Sequence, residues 1–110
     1  MPAVMIKMAT YDHEIVLIKK VNVEDEIGNQ TGEEEIPKQI YGNVKSVGRM
    51  EYYNAAAAGL RPSIVFVIHA YEYEGEQIVE FEGVRYRVIR SYATDFEEIE
   101  LICERVAADG

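Results

Sequence analysis

Basic side chains are scarce in this chain of 110 residues: 11 Lys and Arg stand against 20 Asp and Glu, for a formal charge of −9 and a pI near 4.6. Affinity for nucleic acid comes largely from Lys and Arg displacing counterions from phosphates, so this balance argues against nucleic-acid capture as the main role. Cysteine is nearly absent. Cys103 stands alone, which excludes an intrachain disulfide, and with two scattered histidines a structural zinc site lacks its ligands. A buried thiol in a reducing compartment is the expectation. Long apolar runs are missing too: the longest, residues 55–58 and 64–68, fall far short of the roughly 20 residues that a membrane helix needs. The first ten residues hold no sustained apolar stretch of the secretory kind. Residues 1–12 read as a poorly ordered N-terminal arm and residues 107–110 as a short tail.

The common catalytic signatures are also missing. There is no phosphate-cradling glycine loop, no His-Glu-x-x-His and no nucleophile elbow, so we expect neither an enzyme nor a cofactor. His69, placed beside Glu80 across a strand, would resemble an acid–base pair, but neither a pocket nor a substrate-positioning group accompanies it. A hydrogen-bonded structural histidine is the reading there, and at His13 as well. The carboxylates Glu72, Glu74, Glu76, Glu80 and Glu82 lack the spacing of a calcium loop. They read as a solvated strand edge that discourages stray pairing.

What is present is an ordinary folding composition, 48% hydrophobic and 28% charged, sufficient for one core without staples. Residues 13–106 read as a single domain. From residue 64 onward the apolar alternation describes successive hairpins. A turn at Glu74-Gly75 would set Ile68 opposite Phe81 and Ala70 opposite Val79. A second, at Glu82-Gly83, sets Phe81 opposite Val84 and Val79 opposite Tyr86. A third, over residues 93–96, would pair Val88 with Leu101, Tyr86 with Cys103 and Arg85 with Glu104, leaving Arg87 diagonal to Glu100 and Glu104 as a solvated charge ladder. Residues 13–23 and 39–47 read as two earlier strands. Between them, residues 24–38 carry Glu24, Asp25, Glu26, Glu33, Glu34 and Glu35, with only Ile27 and Ile36 to bury. That composition predicts a long mobile acidic loop. Residues 49–58 predict a helix, with four consecutive alanines, Gly59 to cap it and Pro62 to prevent continuation. Tyr52 or Tyr53 with Ala56 and Leu60 would form its buried stripe. The predicted fold class is mainly β: a small antiparallel β-barrel with one short α-helix and a long acidic loop. Such barrels also serve as single-strand binding modules, but those need a basic groove.

The run GNVKSVGRMEYYNAAAAGLRP at residues 42–62, followed in order by YEGE at 73–76, FEGVRYRVIRSY at 81–92 and EIELIC at 98–103, resembles tailed-phage head closure proteins, also called head-tail adaptor or head-tail joining proteins. The resemblance implies a homo-oligomeric ring, typically a dodecamer, beneath the portal and adaptor proteins in the virion. Assembled in the host cytoplasm, such a ring retains packaged DNA and offers the tail its attachment surface, with DNA passing through unrecognised and no membrane involved. The acidic segment occupies the place of a loop that can project into the channel, and a negative lumen lets DNA slide where a basic one would hold it. Its six carboxylates are the channel candidates. Arg49, Tyr53, Ala56 and Ala57 on the helix are the candidate subunit contacts. A barrel-type module binding nucleic acid or another protein, and a tail-completion ring protein, are the alternatives.

Overall fold

The computed structural model describes residues 12–106. The expected C-terminal tail, and all but the last residue of the expected N-terminal arm, lie outside the described residues. The elements are β1 (His13–Glu24), β2 (Gln30–Lys45), α1 (Arg49–Ala57), β3 (Ile64–His69), a single 3₁₀ turn (Ala70–Glu72), β4 (Ile78–Phe81), β5 (Val84–Ala93) and β6 (Glu98–Arg105). All strand pairings are antiparallel, and the sheet closes in the order β1-β2-β3-β6-β5-β4, with β4 returning to β1. The expected small antiparallel barrel with one helix is therefore what the chain forms. Closure removes the open edges that a small sheet would otherwise expose.

Alternation places the side chains correctly where turns are local. Glu82 and Gly83 both have positive φ, 53° and 79°, the mark of a two-residue type I′ turn. Phe81 accordingly faces Val84 and Val79 faces Tyr86, as expected. The interior is filled by Ile15, Leu17, Ile40, Phe66, Ile68, Val79, Val88, Leu101 and Cys103. Burial pushes the Cys103 thiol up to about 12, and the thiolate is the reactive form. Cys103 in the folded protein should therefore resist iodoacetamide at pH 8 and be alkylated promptly in denaturant. Rapid labelling of the native chain, followed by mass spectrometry, would refute this.

Three expected registers are corrected. β3 does not form a hairpin with β4: it lies between β2 and β6, while β4 lies between β1 and β5. The 3₁₀ turn and residues 73–77 carry the chain across the barrel end, so Ile68 and Ala70 never face Phe81 and Val79. Phe66 meets Phe81 through the interior instead, ring edge to face at 5.5 Å. His69 is registered with Glu98 rather than Glu80. Between β5 and β6 the pairing slips by two residues, to Val88 with Cys103, Tyr86 with Arg105 and Arg87 with Glu104. A slip of two preserves the faces, which is why the core reading survives. A bulge between Val88 and Arg90 then inverts the remainder, so that Ser91 opposes Leu101. Asp95 sets the connecting turn, its Oδ1 accepting from the amides of Glu97 and Glu98, both at 2.8 Å.

The helix ends where expected. Gly59, at φ 81°, donates to the Ala56 carbonyl and Leu60 to that of Ala55, a paired closure that needs a left-handed residue. Its rotation differs from the expected one. Ala55 is the buried residue and both tyrosines point outward. Glu51 decides this: it accepts from the Tyr92 hydroxyl at 3.1 Å and lies 3.3 Å from Arg90, so β5 holds that face of the helix.

Candidate functional site: an acidic ribbon and an exposed helix

Residues 24–38 are not an open loop. They form the turn and returning strand of a β-ribbon in which β1 and β2 stay paired from Leu17 opposite Lys38 out to Glu24 opposite Gln30. Asp25 closes the turn, its Oδ1 accepting from the amides of Ile27 at 3.0 Å and Asn29 at 2.9 Å, with Gly28 at φ 90°. Composition misleads here because the segment has no need to bury a core of its own. A ribbon obtains its backbone hydrogen bonds from the adjoining strand, and Val21 and Val23 supply the β-branched partners.

The ribbon has two faces. Lys20 and Asn22 share the outer one with Glu33 and Glu35, which oppose them in the reverse order. Val21, Val23, Glu34 and Ile36 share the other, which prolongs the barrel's interior face beyond its mouth. The six acidic candidates are all exposed but do not form one cluster. Glu24, Asp25 and Glu26 stand at or beside the turn, Glu33 and Glu35 lie on the outer face, and Glu34 lies on the apolar face. Glu35 is also engaged: Arg85 donates to both its oxygens at 2.8 Å, replacing the expected pairing of Arg85 with Glu104. Arg87 takes Glu104 instead.

At the ribbon's base, a charged plug closes the barrel mouth. Lys19 meets Glu74 at 2.7 Å, and Lys38 lies 3.6 Å from Glu74 and 3.5 Å from Glu76 while donating to the Glu72 carbonyl. The Glu76 side chain is only 2% exposed. It accepts from the Glu74 amide at 2.8 Å, and its backbone carbonyl accepts from the Tyr73 hydroxyl. Sequence reasoning misses this group because a hairpin turn at Glu74-Gly75 would leave its carboxylates in solvent.

These contacts give the ribbon a pH dependence with a definite sign. The hydrogen bonds from Arg85 hold the Glu35 carboxyl below the ordinary value of 4.5, and the hydrogen bond and charge of Lys19 do the same for Glu74. A carboxyl depressed in the folded state contributes stability above the ordinary value and loses it as pH falls through the depressed one. Protection of the amides at residues 19–21 and 34–36, taken relative to the intrinsic exchange rate at each pH, should therefore hold at pH 6 and fall below about pH 4. Arg85→Met should lower protection at 34–36 already at pH 6 and flatten its dependence on pH there; a profile unchanged by the substitution would discount the clamp.

On the helix, Arg49, Tyr53, Ala56 and Ala57 are all exposed, as is Met50. The candidate contacts thus share the solvent side, opposite Glu51 and Ala55. The ribbon and this helix face are the two features that barrel closure leaves projecting. Among the described residues no group of three or more His, Cys, Asp or Glu is arranged to hold a metal ion, and no helix is long and apolar enough to cross a membrane.

The sequence model for the phage head completion protein family matches residues 6–106, and so spans the whole barrel, the ribbon and the helix. The chain belongs to that family. A search among curated proteins finds no match. Membership in the head completion family carries a structural role in the phage particle, in company with other virion proteins. All four stretches noted above, 42–62, 73–76, 81–92 and 98–103, fall within the matched region. Structurally, they supply the end of β2 with the helix, the acidic half of the plug at the mouth, the last residue of β4 with the turn and most of β5, and most of β6.

Proposed function

We propose that this head completion protein forms a ring below the portal and adaptor proteins, closes the channel on packaged DNA and presents the surface to which the tail attaches. Copies assemble in the host cytoplasm, in the number typical of such rings, twelve. The acidic ribbon, with Glu24, Asp25 and Glu26 at its end and Glu33 on its outer face, reaches toward the channel, where negative charge repels phosphate and lets DNA pass without being gripped. The helix residues Arg49, Tyr53, Ala56 and Ala57 meet a neighbouring copy.

The observation that carries this reading is the ribbon itself. It extends past the barrel with both outer edges unpaired among the described residues, since β4 pairs only with Val16–Ile18 of β1 and β3 only with Asn43–Lys45 of β2. A two-stranded ribbon is marginal in water by itself, so a projection of this kind is suited to surroundings that confine it. Heads packaged in the absence of this chain should lose their DNA and fail to accept tails when viewed by electron microscopy. DNA-filled heads that hold their contents and join tails without it would overturn the proposal.

A further inference from the structure

We infer that the apolar face of the ribbon of one copy seats on the exposed side of α1 of the next copy, with Glu34 of the first meeting Arg49 of the second. The inference rests on the ring reading and names its interface.

The ribbon face comprises Val21, Val23, Glu34 and Ile36, with Ile27 at the tip. Ile36 is 47% exposed and Ile27 81%. Because it prolongs the barrel's interior face, it has the side chains of a core strand without a core beneath them. Across from Val21 in the register, Glu34 is the one charge on this stretch beyond Lys19, which is already engaged by Glu74. The helix presents the complement. Its outer side is Met50, Tyr53, Ala56 and Ala57, with Met50 72% and Tyr53 62% exposed, and its one positive charge is Arg49. Among the described residues neither Glu34 nor Arg49 has an ion-pair partner. The alanines permit the close approach that a pleated strand face requires. The ribbon is long enough to cover the helix, since nine helical residues span roughly 13 Å and residues 19–24 of the ribbon roughly 20 Å.

Two different surfaces, one from each copy, make a head-to-tail contact. Such a contact repeats from copy to copy and closes into a ring when the rotation permits, whereas a two-fold contact would stop at a dimer. The arrangement leaves the ribbon's outer face, with Glu33 and Glu35, turned away from the neighbouring helix. A competing seat exists in the cleft of about 590 Å³ lined by Arg61, Ser63, Ile78, Arg87, Arg105 and Val106, and the cysteine pairs below separate the two.

Charge reversal tests the pairing in whole particles. Glu34→Arg alone and Arg49→Glu alone should each reduce incorporation of the full chain into heads by roughly tenfold or more, and the two together in one chain should restore it. Both residues are exposed, so circular dichroism and melting temperature should match those of the unaltered protein. Ile36→Cys with Tyr53→Cys should give, on oxidation of assembled particles, a ladder of cross-linked multimers, while either cysteine alone gives none; buried Cys103 stays silent. Failure of the double reversal to rescue, or a ladder from Ile36→Cys with Ser63→Cys in place of Tyr53→Cys, would overturn the helix seat and leave the ring intact. Particles whose unaltered copies occupy no ring would overturn both.

Discussion

Gly42→Val is expected to be the most damaging single substitution in the barrel. A Cβ at this position would lie 2.8 Å from Ile15 Cδ1, 2.8 Å from the Val67 carbonyl oxygen and 2.9 Å from Ile68 Cγ2. Side-chain ends can move aside, but the Val67 carbonyl belongs to the strand that takes over as β2's neighbour: His13 of β1 faces Gly42, and Val67 of β3 faces Asn43. Here β2 passes from one partner to the other, and only a residue without a side chain lets the two backbones approach. Overpacking of a core typically costs about 1–3 kcal/mol, and a backbone obstacle places even Gly42→Ala at the upper end of that range. Valine adds two methyl groups to the clash. Against a total stability of roughly 5–15 kcal/mol, the variant should be recovered largely unfolded or with its urea midpoint greatly reduced. A midpoint equal to that of the unaltered protein would show that β2 and β3 do not cross so closely.

Phe66→Ala should come next. Phe66 is fully buried at the middle of β3 and touches Phe81 and Tyr86 edge-on, with ring centroids 5.5 and 5.6 Å away. These three rings join the β3 side of the barrel to β4 and β5 through the interior, a link that the expected β3–β4 hairpin would have made with backbone hydrogen bonds. Truncation of a buried phenylalanine costs about 3–5 kcal/mol, because its transfer energy is lost and a cavity remains. At roughly 4–8 °C per kcal/mol for a domain near this size, the melting temperature should fall by at least about 12 °C. Phe66→Leu should retain most of the stability. A fall of only a few degrees for the alanine variant would mean that the interior closes around the gap.

The two substitutions also separate folding from assembly. Neither touches the ribbon or the exposed helix side, so any defect in head completion should track the fraction unfolded. Reversal of Glu34 or Arg49 should impair assembly in a chain that melts normally. The contrast follows from where the side chains are: the barrel interior supplies the stability, while the projecting ribbon and helix supply surface.

Short-range features were legible in the chain by itself. The Glu82-Gly83 turn, the helix closed by Gly59, and the inward facing of Val79, Tyr86, Val88, Leu101 and Cys103 all depend on residues a few positions apart, where backbone sterics and alternation act directly. The acidic ribbon was not legible from its composition: high charge by itself points to disorder, although pairing with Val21 and Val23 lay within reach of a local turn. Three matters were decided only by the tertiary structure: that β3 pairs with β2 and β6, that Glu76 is buried beside Lys38 at the mouth, and that Glu51 rather than a tyrosine turns toward the barrel. Alternation states which face a residue takes but not which strand lies beside it. Closing a barrel is a condition on all six strands at once, and that condition chose the partners.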